Sequence, residues 1–596
     1  MSIFSRLSYI FSKQQKLQSI ALCIGLFIGA LFELVGISLI TGLVSIITNP
    51  GMIHQNAILR GIYETFRLKS DRSFFGLLTA GLILVYLVKN LYLLWLDYVQ
   101  YKFIYDNQLK ISGRLIDCYL KKPYTYHLDK NSAEMVRNVM LDSERLFQML
   151  LSFFSLLSEF LVCVLLSVYL FVVDWFITAF VVTILAAFTG IYMVLFRNKA
   201  REYGRINQVY DGKMHQSINQ ALGAVKDIKI LHREKYFVNA FISNGEKKMR
   251  AVRNNNILGN VPKYLIETVC VGAILSVLLI KIFQGTDLST MITELSAFAV
   301  AAFKLLPSVS KINNYANLIV FLKPSVDLIY RDIKDTEDMK DFELKDELLE
   351  NGAASLLTEK QVSDKEKTGA KCIKIDNVSY RYPGSDQDVL KDVSFEIPLG
   401  YAVGMVGPSG AGKSTMADVI LGILTPVSGR VMYGDMNVHE NPLRWSKKLA
   451  YIPQSIYLSD ESIRNNVAFG IENGDIDEDK VWEALKEAQL YDFVKGLREG
   501  LDTLVGERGV RLSGGQRQRI GIARALYDDP EILVLDEATS ALDNETEAAV
   551  MEAIDRLMGR KTLIIIAHRL TTIENCQIVY RVEDGKVQKE RDRVGD

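Results

Sequence analysis

Up to about residue 322 the chain carries long apolar runs, and beyond it short apolar segments alternate with polar turns. A helix needs about 20 apolar residues to cross a bilayer. Six stretches qualify: 17–48, 74–104, 149–173, 175–197, 258–283 and 288–322. The third and fourth meet at Asp174-Trp175, a tight hairpin whose aromatic ring suits a membrane interface. Several stretches exceed one bilayer thickness, so the pattern predicts helices that run on into water on one side. The connections 105–148 and 198–257 are long, rich in Lys and Arg and helix-forming, while the links after 173 and 283 are short. Under alternating topology the basic N-terminus and both long connections share one side, which the positive-inside bias makes cytoplasmic, together with the C-terminal half. Arg60, Arg67, Lys69 and Arg72 in the first outer loop, 49–73, run against that bias. In the same loop Ile58, Ile62 and Phe66 share one helical face, so 53–66 reads either as a short amphipathic surface helix or as a solvated loop. The pattern predicts an all-α six-helix transmembrane domain over 1–322.

Three spans hold a lysine among apolar residues: Lys89, Lys263 and Lys304. From the outer end of each span these lie roughly 22, 30 and 24 Å deep at about 1.5 Å per residue. All three then fall toward the inner half of a core about 30 Å thick. Each costs about 2.5–3.5 kcal/mol at mid-membrane. Two readings remain open: each snorkels alone to the headgroups, or together they line a cationic cavity for an anionic substrate. Glu33 and Glu267 are candidate counter-charges, and Pro262 and Pro307 predict kinks beside two of the lysines.

Residues 323–371 are charged and read as a helical tail and a linker; from 372 to 596 short strands and turns predict an α/β P-loop NTPase domain. Gly407–Ser414 (GPSGAGKS) follows the apolar strand 401–406 and precedes a helical run, the context a P-loop requires. Its glycines, Gly407, Gly410 and Gly412, with Ser409, turn backbone N–H groups onto phosphates; Lys413 reaches the β- and γ-phosphates, and Ser414, followed by Thr415, offers a hydroxyl to Mg²⁺. Ile532–Glu537 (ILVLDE) is an apolar strand ending in two carboxylates, Asp536 for the metal and Glu537 to orient and polarise a water. Phosphoryl transfer asks mainly for positioning and charge neutralisation, which this set supplies.

A formal net charge of -1 argues against a nucleic-acid partner. The mean hydropathy of +0.13 averages two unlike halves. Six scattered cysteines, Cys23, Cys118, Cys163, Cys270, Cys372 and Cys576, show no metal-ligand spacing and read as small apolar residues. The apolar stretch after the basic Met1–Lys16 is too long for a signal-peptide core, so it reads as a span.

Leu512–Gln516 (LSGGQ), followed by RQRIGIARAL, completes a co-linear set. With it, 372–596 resembles the nucleotide-binding domain of ATP-binding cassette transporters, and 1–322 their exporter-type (type I/type IV) membrane domain. The resemblance implies ATP and Mg²⁺ as cofactors and an ATPase coupled to transport. It implies that Ser513, Gly515 and Gln516 meet the γ-phosphate held by another subunit, that Tyr382 stacks on adenine, and that Gln454 senses the metal and the interface. Ser540–Asp543 would cross between subunits, with Asp543 at the nucleotide, and His568 would contact the γ-phosphate. One chain with one cassette must then pair, most simply with a second copy of itself. Coupling segments are expected near Pro123–Ser132 and Asp211–Ser217, in an alternating-access cycle. Within that family, FELVGISL in the first span and the surroundings of Lys263 and Lys304 resemble bacterial flippases for lipid-linked oligosaccharides. The implied substrate is a polyprenyl-diphosphate glycan moved to the outer leaflet of a bacterial inner membrane, its diphosphate meeting the three lysines. Those flippases carry arginines there, and lysine lacks the bidentate fork. The alternatives are an exporter of drugs, peptides or lipid A-like lipids, and an ATP-gated regulator or channel; six spans exclude a soluble cassette protein.

Overall fold

A computed structural model of the chain describes residues 3–48, 51, 56–66, 70–173, 175–283, 288–337, 372–537, 544–567 and 570–593. They divide into two compact units, Met1–Lys122 with Lys130–Asn351, and Pro123–Asp129 with Gly352–Asp596.

The first unit is built on six long helices: α1 Lys13–Thr48, α2 Asp71–Lys121, α3 Ser143–Val173, α4 Trp175–Gly223, α5 Glu234–Phe283 and α6 Leu288–Glu337. Each apolar stretch of the sequence lies inside one of them. Among the described residues four stretches are long and apolar enough to cross a membrane: Lys13–Ile47, Asp71–Lys121, Ser132–Val173 and Thr178–Gly223. The 51 residues of α2 make a rod of about 76 Å, more than twice a hydrocarbon core about 30 Å thick. The charged connections are therefore continuations of the spans. The helical tail read after residue 322 is likewise part of α6, which ends at Glu337. The outer loop contains a helix, Ala57–Thr65. Leu59 and Tyr63, one turn apart, pack against Ile46 and Phe74, while Phe66 is exposed. A helix forms, and the described face it packs on the bundle is Leu59–Tyr63.

Two features hold the helices. Pro262 inside α5 has no N–H, so the Leu258 carbonyl one turn earlier lacks its helical donor. The buried Tyr192 hydroxyl of α4 donates to that carbonyl instead. Farther along, a turn of π-helix, Asn138–Asp142, leads into α3. Its Asp142 is fully buried and accepts from Arg137 Nε at 3.1 Å, Arg145 Nη1 at 3.3 Å and Gln208 Nε2 at 3.3 Å, as well as from Ser325 Oγ. Arg145 also reaches Asp211, which Lys248 bonds in turn. α3, α4, α5 and α6 are thus joined through one charged cluster. Removing one member of such a cluster strands the others, at about 3–5 kcal/mol.

In the second unit a six-stranded sheet runs in the order β10-β9-β3-β8-β7-β6. Its strands are β3 Ala402–Val406, β6 Leu449–Ile452, β7 Ile532–Asp536, β8 Thr562–Ile566, β9 Ile578–Glu583 and β10 Lys586–Asp592. β6, β7, β8, β3 and β9 pair in parallel, and β10 closes the edge antiparallel to β9. β3 and β8 are buried at every position, which is why they read as unbroken apolar runs. A second, antiparallel sheet has the order β2-β1-β4-β5, from β1 Cys372–Tyr380, β2 Leu390–Pro398, β4 Ser428–Tyr433 and β5 Met436–Asn437. α7 Lys413–Ile420 follows the P-loop, and α8 Gly514–Leu526 follows the LSGG run.

Candidate nucleotide site and membrane cations

In an open parallel sheet, ligands settle outside the carboxyl ends of the strands. The expected residues collect there. The P-loop leaves β3, Asp536 ends β7, Gln454 comes two residues after β6, and His568 would follow β8. The order β3-β8-β7-β6 therefore brings to one end of the sheet three described segments, Gly407–Ser414, Gln454 and Asp536–Glu537, that lie far apart in the chain.

The P-loop backbone needs its glycines. Gly407 has φ 151°, and a Cβ there would lie 2.0 Å from the Val582 carbonyl oxygen. Gly410 and Gly412 have φ of 80° and 104°, which L side chains rarely adopt. Gly412 caps the N-terminus of α7, while Ser409 is exposed on the loop. Lys413 is 4% exposed, and its Nζ donates to the Gly407 and Pro408 carbonyls, both at 3.0 Å. Burial holds its ammonium below the usual lysine range. Ser414 Oγ lies 3.4 Å from Asp536 Oδ1, and Gln454 Nε2 donates to Glu537 Oε2 at 2.7 Å. Burial, and then the neighbouring Glu537 charge, push the Asp536 carboxyl upward. A hydroxyl, an amide oxygen and a carboxylate raised by burial and a second carboxylate fit a hard divalent cation, which takes oxygen ligands. Among the described residues no cluster of three or more His, Cys, Asp or Glu stands apart as a metal site. Tyr382, half-buried, is hydrogen-bonded to Thr415 Oγ1 at 3.1 Å, at the edge of the same loop.

The signature run caps its helix. Ser513 Oγ accepts from Gln516 N at 3.2 Å, and Gln516 Oε1 accepts from Ser513 N at 2.8 Å, a reciprocal capping box at the start of α8. Gly515 is buried in the first turn beside them. The remaining expected members, Ser540–Asp543 with Asp543, and His568, lie outside the described residues.

Two residues beside the carboxylates escaped sequence reasoning. Asp418, one turn beyond Ser414 on α7, has its carboxyl pushed to about 6 by burial and by the Asp536 charge. Tyr451 on β6 lies beside Asp536, and burial, then that carboxylate's charge, push its hydroxyl upward. The i, i+4 spacing from Ser414 was the available signal for Asp418.

Residues 17–299 match the family described as ABC transporter transmembrane region, and residues 390–540 the family described as ABC transporter. A protein of Cupriavidus metallidurans named ATP-dependent lipid A-core flippase is 30% identical over 485 residues, 81% of this chain and 78% of that protein. The chain belongs to the ABC transporter family. It is accordingly an integral membrane protein that uses ATP, an ATPase coupled to transport. A lipid A-core flippase of Cupriavidus pinatubonensis is 28% identical over 482 residues, covering 80% of this transporter and 78% of the relative. The fold matches a solved structure described as a bacterial Atm1-family ABC exporter with ATP bound, with a TM-score of 0.72 over 97% of this chain and 96% of that one, at 21% identity.

In this ABC transporter the three membrane lysines differ. Lys89 on α2 is buried and pairs with Glu33 on α1, Nζ to Oε2 at 3.3 Å, with its ammonium also 4.5 Å from the centre of the Tyr86 ring. Lys263 on α5 is exposed, its Nζ 5.6 Å from the Tyr264 ring centre. Lys304 is on α6, and its side chain lies outside the described residues. Sequence reasoning missed a further group: Lys311 on α6 donates to Glu159 on α3 at 2.7 Å, and Ser308 donates to the other oxygen of Glu159 at 2.6 Å. The signal was present, since both charges interrupt apolar runs.

Proposed function

We propose that two copies of this chain form an exporter that uses Mg-ATP to flip a phosphorylated glycolipid, of the lipid A-core kind, from the cytoplasmic to the outer leaflet of a bacterial inner membrane. The observation that carries this reading is the convergence of Lys413, Ser414, Gln454, Asp536 and Glu537 at the ends of three strands of one sheet, in a chain whose relatives carry the name lipid A-core flippase. Ser414, Gln454 and Asp536 hold Mg²⁺, which when bound supplies charge neutralisation on the phosphate oxygens. Gly407, Ser409, Gly410, Gly412, Lys413 and Thr415 cradle the phosphates, and Tyr382 meets the adenine. Glu537 orients and polarises water for attack, with Gln454 holding that carboxylate in place; His568 and Asp543 complete the γ-phosphate side. Ser513, Gly515 and Gln516 act on the nucleotide of the second copy, because a capped helix N-terminus is an anion site. ATP thereby favours the paired state, and segments Pro123–Ser132 and Asp211–Ser217 carry closure to the spans. The differential affinity for the closed state drives the change.

The lipid-linked oligosaccharide is the second reading, favoured by the FELVGISL segment and the Lys263 and Lys304 surroundings. Both substrates present phosphate next to glycan. Lys263 and Lys304 are then the cations to meet it, since Lys89 is already paired with Glu33. The test is reconstitution in liposomes with fluorescent lipid A-core or polyprenyl-diphosphate-oligosaccharide, following sidedness with and without ATP beside Glu537→Gln. ATP-dependent movement of lipid A-core alone supports the first reading, and of the glycan carrier alone the second. Movement of neither while ATP is hydrolysed refutes both substrates.

A further inference from the structure

The loop that carries Gln454 is keyed to the helix that carries the signature run by three consecutive residues. Ile456 lies so close to Gly521 of α8 that a Cβ there would stand 2.4 Å from its Cδ1 and 2.9 Å from its Cγ1. The Tyr457 carbonyl accepts from Arg524 Nη1 at 2.9 Å. Leu458, fully buried, meets Gly509 in the turn before the signature, where a Cβ would stand 2.6 Å from its Cδ1. That turn is itself tied to α8, since Arg517 Nη1 donates to the Gly509 and Leu512 carbonyls at 3.2 and 3.1 Å.

Arg524 is the centre of this joint. Its Nε and Nη2 donate to the Asn466 carbonyl and Oδ1 at 2.8 and 3.1 Å, and its guanidinium lies 4.3 Å from the centre of the Phe469 ring. Asn466, fully buried in the short helix Ile463–Val467, holds the far end of the same loop. Its Oδ1 accepts from Ser459 N and its Nδ2 donates to the Ser459 carbonyl, both at 3.0 Å. One planar fork thus fixes the loop on α8, which lysine, a point charge on a flexible stem, cannot reproduce. The helix carries that register from Arg524 back to Ser513, about 16 Å at 1.5 Å per residue, and the capping box fixes its first turn. Gln454 meanwhile bonds Glu537 at the chain's own site. We propose that Arg524, seconded by Gly521, is a positioning residue that hands movement of Gln454 at one ATP site to the signature serine acting at the other. The inference rests on the paired reading above, in which Ser513 meets the nucleotide of the second copy.

Mixed pairs of the full-length protein, each copy with its own affinity tag and one lengthened by a fusion, are purified into nanodiscs. They are trapped with 8-azido-ATP, Mg²⁺ and vanadate and illuminated, which labels the copy whose P-loop holds the nucleotide; the copies then separate by size. Ser513→Ala in one copy should lower the label on the unmodified copy. Without that crossed loss the paired reading is refuted, and the joint falls with it. Where the crossed loss is seen, Arg524→Lys should lower the label on the unmodified copy at least tenfold, since a misplacement of about 1 Å can cost about 10²-fold. The loss should be at least fivefold greater there than on the copy carrying the substitution, whereas a variant that merely misfolds loses its own label first. Gly521→Ala should give the same crossed loss and serves if the lysine variant misfolds. Ile456→Ala in the same copy should restore at least half of it, because the new Cβ meets only Ile456 atoms that alanine lacks. Gln454→Ala with Arg524→Lys in one copy should lose no more crossed label than the worse of the two alone. Losses confined to the variant copy, no relief from Ile456→Ala, or losses from Gln454 and Arg524 that multiply each overturn the joint while leaving the paired reading in place.

Discussion

The hydrogen bond from Tyr192 to Leu258 tests whether the proline of α5 is accommodated by its neighbour helix. Pro262 removes the N–H that would bond Leu258, and the Tyr192 hydroxyl replaces it. Tyr192→Phe keeps the ring, which is 4% exposed and lies tilted against Phe196 with centroids 4.9 Å apart, so packing is preserved and only the donor is lost. A buried acceptor left without a donor costs about 1–3 kcal/mol in general, while hydrogen bonds between membrane helices average about 0.6 and reach about 1.7 kcal/mol. About 1 kcal/mol is the expectation, a factor of about five in a population or rate. Pro262→Ala returns an N–H at that position and with it the carbonyl's helical donor. In that background Tyr192→Phe should cost close to nothing, giving an interaction energy of about 1 kcal/mol between sites otherwise expected to add within about 0.3–0.5 kcal/mol. The readout is the inactivation half-life of the purified protein at one temperature, for wild type, both single variants and the double. Unfolding of so large a chain is treated as a rate. An equal loss from Tyr192→Phe in both backgrounds would refute the replacement of the proline's missing donor.

Four further outcomes are expected. Glu537→Gln should retain ATP binding and lower hydrolysis by about 10²–10⁴-fold, the range for loss of a positioned general base; near-normal turnover in a phosphate-release assay removes Glu537 from that role. Gly407→Ala must place its Cβ 2.0 Å from the Val582 oxygen, so binding of a fluorescent ATP analogue should fall at least about tenfold, and unchanged binding would show that the loop tolerates another backbone. Burial holds the His439 imidazole below its usual value, outweighing the bond between its ring and the Leu424 carbonyl. Its contribution to stability is therefore present above the unfolded value of about 6.5 and lost as pH falls through the lower folded value; the melting midpoint should drop between about pH 7 and pH 5, and less so in His439→Gln. Asp142→Ala strands Arg137 and Arg145 in a buried cluster and should cost about 3–5 kcal/mol, seen as a shortened half-life and faster trypsin cleavage within 105–148.

How far the sequence could be read follows from what each pattern encodes. A span must satisfy its backbone within one helix, so length and apolarity alone located all six helices. The buried strands β3 and β7 were legible for a related reason, since each is sealed on both faces and ends in the residues that do chemistry. Partners across space were not legible. Depth along a helix can be counted at about 1.5 Å per residue, but the direction in which a side chain leaves the axis relative to another helix cannot. Lys89 and Lys263 read as equivalent cations on that count, yet Lys89 meets Glu33 across α1 and α2, and Lys263 is exposed. The pairing of Lys311 with Glu159 was hidden in the same way, with 152 residues between the partners. In the outer loop the helical reading was right in kind, and Leu59 and Tyr63 supply the packing because the Ile46–Phe74 contact they cover comes from two other helices.

The same limit bears on the substrate. An ammonium at mid-membrane costs about 2.5–3.5 kcal/mol, and a carboxylate partner removes that cost while also removing the net charge a phosphate would seek. The α1–α2 pair, Lys89 with Glu33, and the α3–α6 pair, Lys311 with Glu159, are both neutral overall. Capture of an anionic headgroup at these depths must therefore fall to cations without such a carboxylate, or else compete for the lysine of a pair. Of the two, Lys89 is 8% exposed and Lys311 is 54% exposed. An anion competing for a paired lysine thus reaches Lys311 with far less rearrangement than Lys89. Lys89→Gln should accordingly alter stability more than transport, because it leaves the Glu33 carboxylate, 12% exposed, without that ion pair, and a transport defect at unchanged half-life would overturn that ranking.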